Sequence, residues 1–158
     1  MAKTVNNTTV NSRISILFDA AGLLDGNGPA KGTGNTESDV YLDNKVHFNI
    51  RSHTEIDASI HALQWDAVTN TGELEYTDTR ENATLSEFPQ WATNVVIRCE
   101  AQDAWNSAYN ANVTAQFNAW KTANPEANVE TFTADTSQAT SVADTERNNY
   151  LSAHSITY

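Results

Sequence analysis

His53, Glu55, Asp57 and His61 alternate along one stretch of this sequence, and all four are residue types that ligate metals. Alternate positions of an extended strand lie about 7 Å apart at a rise of ~3.3 Å per residue. That is too far for neighbours to chelate unless the strand turns. No C-x-x-C or H-E-x-x-H spacing accompanies them, so they read as one solvated strand face. Glu73, Glu75 and Asp78 are the residue types of a glycosidase pair, which needs two carboxylates ~5–9 Å apart across a cleft. Acids on the exposed side of an acidic hairpin need no such role. Asp25-Gly26-Asn27-Gly28-Pro29 opens like a calcium loop, but it has Pro29 at the fifth position and no closing Glu at the right distance. The glycines around Lys31 fail the phosphate-loop spacing, because Gly32 stands where Ser or Thr is required. Each pattern breaks at a position its chemistry needs. The expectation is therefore no metal, no nucleotide, no other cofactor and no enzyme.

The single cysteine, Cys99, excludes an internal disulfide framework. No histidine lies within two turns of it on a helix, so it reads as a small buried hydrophobe. Trp65 and Tyr76 are placed to meet across a hairpin, which is how sheets gain cross-strand energy. A sugar-stacking platform would use the same residue types.

The formal net charge is −11. Nine scattered Lys and Arg give no basic patch for nucleic acid, and the acidic balance disfavours anionic membrane surfaces. No apolar run approaches the ~18 residues of a membrane span, and the N-terminus lacks a charged–apolar–small export pattern. The expected setting is synthesis in a cytoplasm without export. Leu, Ile, Val and Phe number only 30 of 158, whereas Asn and Thr number 38. That balance favours turns, edge strands and solvated surface over a dense core, and it suggests that neighbouring chains supply part of the burial.

The elements that must position these residues follow in chain order. Residues 1–12 are polar and read as an arm. Ordering each residue costs roughly 1–2 kcal/mol of backbone entropy, and Val5 and Val10 return only about 2 kcal/mol each if fully buried. Strand addition to another chain would make up the difference. Arg13 to Leu24 is an apolar segment short enough to be either a strand or a brief helix, and residues 25–39 read as a glycine-rich loop. From Lys45 to Gln64 the pattern has period two. Val46, Phe48, Ile50, Ile56, Ala58, Ile60 and Ala62 share one parity, with a turn near residues 52–54. After Ala62 the parity switches to Leu63 and Trp65, which calls for a bulge or a change of packing partner. Residues 62–78 form a hairpin turning at Thr69-Asn70-Thr71-Gly72.

Residues 89–123 read as one helix, opened by Pro89 and closed by Asn124-Pro125. Trp91, Val95, Cys99, Trp105, Tyr109, Val113, Phe117 and Trp120 form one line at a mean helical step of about 3.6 residues. Ile97, Ala101, Ala104, Ala108, Ala111, Ala115 and Ala119 form a second, smooth line on the opposite side. The bulky line has to be buried, and the smooth one lets another backbone come close. Beyond the helix come a polar loop, a weak helix around residues 141–153, and a tail in which Tyr150, Leu151, Ile156 and Tyr158 are spaced too loosely for a core helix.

The segment from Ile60 to Trp91 holds Gln64-Trp65, then Gly72-Glu73-Leu74-Glu75-Tyr76, then Phe88-Pro89-Gln90-Trp91 ahead of the Ala/Trp-rich helix. It resembles a module of small tailed-bacteriophage virion proteins associated with the tail, its fibres or their attachment. The resemblance covers roughly residues 60–123, about two-fifths of the chain. It implies a non-enzymatic, structural role in a virion and carries over no catalytic residue.

The expected fold is α+β: a small antiparallel sheet packed with one long helix, with extended terminal arms. Three parts are expected: 1–39, 40–123 and 124–158. The expected function is a structural subunit of a multi-protein assembly, such as a tail, neck, baseplate, fibre-linking or capsid-decorating component. Its partners would be copies of itself and other virion proteins, with no nucleic acid, membrane or small-molecule ligand. The alternative is a receptor- or glycan-binding adhesin using Trp65, Tyr76 and the glycine-rich loop. The interface residues expected for the assembly are Val5, Val10, Trp91, Ala101, Trp105, Ala108, Ala115, Trp120 and Tyr158.

Overall fold

Eight short strands and two helices make up the computed structural model of the chain, which describes residues 3–18, 37–51 and 56–157. The fold is α+β. The glycine-rich loop up to residue 36, His53, Glu55 and Tyr158 lie outside the described residues. Two compact units are present, Met1–Cys99 and Glu100–Tyr158, so the division falls inside the long helix rather than at residues 39 and 123.

Among the described residues, all the strands lie in the first unit. β1 (Lys3–Val5) and β2 (Thr8–Val10) pair with each other as a two-stranded hairpin. The other six are β3 (Arg13–Phe18), β4 (Glu37–Leu42), β5 (Lys45–Arg51), β6 (Ile60–Asp66), β7 (Thr71–Tyr76) and β8 (Ala83–Leu85). They form one antiparallel sheet in the order β5-β4-β3-β6-β7-β8. Alternation sets the inner face. Ile14, Ile16 and Phe18 of β3 are buried beside Val40 and Leu42 of β4 and Leu63 and Trp65 of β6. The first turns of α1 (Gln90–Ala123) join the same core through Ala92, Val95, Val96 and Cys99. The helix starts where the Pro89 carbonyl accepts from the amides of Ala92 and Thr93.

Asparagine and aspartate shape the turns. Asn6, Asp43, Asn49 and Asn70 all have φ between 53° and 55°, a left-handed conformation these side chains tolerate better than most.

Two expectations change on this sheet. The polar N-terminal stretch is not an arm awaiting another chain. It folds back as the β1–β2 hairpin, with Val5 and Val10 3% and 0% exposed inside its own core. Pairing within the segment satisfies the backbone that strand addition was expected to satisfy. The second change lies in β5. Strict alternation would place Val46, Phe48 and Ile50 inside, yet His47 and Ile50 are buried and Phe48 is 66% exposed. The register between β4 and β5 shifts at Ser38/Val40. Asn49 takes its positive φ there and donates its amide to Asp39 Oδ1 at 3.0 Å. The extra residue turns Phe48 outward. The parity switch anticipated after Ala62 has the same origin, a register shift between Ile60 and Ala62 in the β6–β7 ladder.

The β6–β7 turn is closed by Asp66, whose Oδ1 accepts from the amides of Val68 (2.7 Å) and Thr69 (3.1 Å). Gly72 lies inside β7 rather than in the turn, directly opposite Trp65. A Cβ there would come within 2.6 Å of the Gln64 carbonyl and 2.7 Å of the Trp65 ring. Tyr76 faces Ile60, so the expected Trp65–Tyr76 pair does not form.

A second constraint ties two turns together. The Asp43 carboxylate accepts from the amides of Asn11 (2.8 Å), Ser12 (2.8 Å) and Arg13 (3.1 Å) and from the Ser12 hydroxyl. Its own amide donates to the Arg13 carbonyl at 2.9 Å. The Asn11 amide contributes most to lowering its pKa to about 2.

Two outcomes are expected. Gly72→Ala should destabilise the fold by about 1–3 kcal/mol through overpacking, read as a lower urea midpoint at unchanged slope. Asp43 has a folded pKa below its unfolded value of about 3.8. Its stabilisation is therefore present above pH ~4 and lost as pH falls toward 2. The stability difference between wild type and Asp43→Ala, followed by urea titration across that range, should shrink on acidification.

Candidate interaction surface

In the second unit α1 runs antiparallel to α2 (Thr136–Ala153). Three contacts fix the pairing. Gln116 exchanges hydrogen bonds with the Asp135 backbone (2.7 and 3.0 Å), the Trp105 indole N–H donates to Asp144 Oδ1 at 2.8 Å, and the Tyr150 hydroxyl donates to Glu100. α2 begins earlier than the sequence suggests because Asp135 caps it, accepting from the Gln138 amide at 3.0 Å. Ala139, Ala143 and Leu151 are its buried residues.

The connection between the helices is held by one aromatic. Phe132 packs edge-on to Phe117 at 5.3 Å and tilted against Trp120 at 5.6 Å. Lys121 donates to the carbonyls of Pro125 (2.8 Å) and Ala127 (3.1 Å) at the end of α1, a favourable position for a cation at a helix C-terminus.

The expected interface residues separate into groups. Val5, Val10 and Ala101 are buried within the chain, Ala101 at 1% exposure. Trp91 is half-buried, with its ring 5.7 Å from Phe18. Trp105 stacks on Tyr109 at 5.1 Å, and Trp120 lies on Phe132. The bulky line is thus engaged inside its own unit. The smooth line changes character along its length: Ala104 and Ala108 are half-buried, while Ala111, Ala115 and Ala119 are exposed. α2 sits along the border between the two lines, not squarely on either.

What stays exposed on α1 has an unusual composition. Asn106, Ser107, Asn110, Ala111, Thr114, Ala115, Asn118 and Ala119 are exposed, and no charged residue occurs from Ala104 to Trp120. Solvated helix faces ordinarily carry charged i,i+4 pairs.

Of the residues considered for chemistry, Asp57, Glu73 and Asp78 are engaged in structure. Asp57 accepts from Ser59 and from Arg80 at 3.1 Å. Arg80 also holds Asp78 through both carboxylate oxygens and lies 4.2 Å above the Tyr76 ring. The Arg80 guanidinium holds the Asp78 carboxyl down at about 2. Glu73 accepts from Asn82 at 2.7 Å. Among the described residues no three His, Cys, Asp or Glu side chains gather to hold a metal ion, and no helix is long and apolar enough to cross a membrane. The Arg80 hub and the Phe132 anchor were not foreseen. Phe132 had one available signal, as an isolated aromatic in a polar loop.

Comparison with protein-family models, with curated proteins and with solved structures finds no match to this chain.

Trp105→Phe keeps the ring packing and removes the donor to Asp144. It should weaken the helix pair by about 1 kcal/mol, measurable as faster amide hydrogen exchange across α2.

Proposed function

We propose that this chain is a structural subunit of a multi-copy assembly, of the kind that builds tailed-bacteriophage virions. The observation that carries the reading is the exposed, charge-free face of α1 between Ala104 and Trp120. In a chain with 20 acids and nine bases, two such faces can approach without mutual repulsion, and their small side chains permit close backbone contact. The likeness of residues 60–123 to virion modules supports the same reading, since a hairpin followed by a long helix is the arrangement those modules have. The partner on this face is a second copy or another virion protein.

The half-buried position of Ala108 makes Ala115 the better probe, because a substitution there leaves the helix pair intact. Wild-type protein should self-associate in sedimentation velocity as concentration rises. Ala115→Glu, which places like charges face to face, should shift that equilibrium about tenfold or more toward monomer with an unchanged melting temperature. A wild-type protein monomeric at every concentration and in the presence of its virion neighbours would sink the proposal.

A further inference from the structure

The rings along α1 contact one another, yet the helix pair does not cover them. Among the described residues, the only buried side chains of the second unit are Ala101, Ala139, Ala143 and Leu151. Trp105, Tyr109, Val113, Phe117 and Trp120 are all half-buried. α2 lies along one border of this line. On the other border Asn106 and Asn110 are exposed. A unit of roughly sixty residues encloses too little of its surface to hide five such side chains alone. Helices meet that need by joining into bundles.

We propose that two copies of this chain pair antiparallel along that open border, about a twofold axis at Val113, and close their helix hairpins into a four-helix bundle. Two patterns name a second copy as the occupant. The first is symmetry. Four residues to either side of Val113 stand Tyr109 and Phe117, and one turn further out stand Trp105 and Trp120. The axis therefore sets Tyr109 opposite Phe117 of the second copy and Trp105 opposite its Trp120. An isologous contact requires such self-complementarity. The second pattern is charge. The charge-free stretch of α1 ends at an acid, Asp103, and at a base, Lys121. Spacings of seven and eleven residues bring both into line with Asn110 on the open border. Antiparallel pairing brings Asp103 of each copy to Lys121 of the other, so the seam carries opposite charges at both ends in a chain whose net charge is −11. The seam lies across the helix from Ala115 and is a separate surface from the small-residue face.

The test uses the full chain with Cys99→Ala as background. Val113→Cys sets two thiols face to face at the axis, and mild oxidation should join the chains as disulfide dimers. Thr145→Cys, on an exposed position of α2, should cross-link about tenfold more slowly or less. Added to Val113→Cys, either Asp103→Lys or Lys121→Glu places like charges at both ends of the seam and should slow cross-linking about tenfold. A one-to-one mixture of those two chains restores opposite charges at both ends, and the rate should recover. The inference is overturned if Val113→Cys cross-links no faster than Thr145→Cys, or if the mixture shows no recovery. A wild type that self-associates while Val113→Cys fails to cross-link also overturns it and leaves the Ala115 face standing.

Discussion

Trp65 can lie against β7 only because position 72 carries no side chain. With a Cβ at Gly72 blocked on two sides, the indole occupies the space a side chain would have filled. It meets Phe88 edge-on at 5.3 Å and supports Lys3 from below. The hairpin register, the approach to α1 and the seat of the N-terminal hairpin therefore converge on a single ring. A chain with only 30 large aliphatic and phenylalanine residues builds a dense core by concentrating it on one sheet face.

Period-two patterning makes β5, β6 and β7 legible, and helical spacing makes α1 legible almost to the residue, whereas β1, β2 and β8 carry no such signal. What escaped were the local departures from regularity. Phe48 and His47 exchange sides because Asn49 adopts a left-handed conformation, and nothing in the alternation of types marks which asparagine will do so. Taken singly, the few apolar residues of the N-terminal stretch suggest an arm. Val5 and Val10 in fact sit on facing strands, their burial shared with a core contributed from far along the chain. α2 opens on Thr-Ser-Gln, which carries no apolar signal, so its start is marked by the capping Asp135 alone.

The two lines on α1 were legible as patterns but not in their partners. Spacing reports which residues share a face; it does not report what arrives there. α2 takes the border between the lines because Trp105, Gln116 and Phe117 can all reach it or its connection, leaving the distal alanines exposed. Asp57 is tied to Arg80 across more than twenty residues, an association that no spacing rule anticipates, whereas Asp78 lies two residues from it.

The strand order has a kinetic meaning. β3-β4-β5 and β6-β7-β8 are each built from neighbours in sequence, and a single ladder, β3 with β6, joins them. Its partners, such as Ile16 and Leu63, are separated by a long stretch of chain, so the loop-closure entropy must be met before that ladder returns anything. The two halves can form quickly and independently. Their zipping along β3–β6 then sets the pace at which the sheet as a whole appears, and any nascent chain halted before β6 exposes one long flank of β3 to whatever strand it meets.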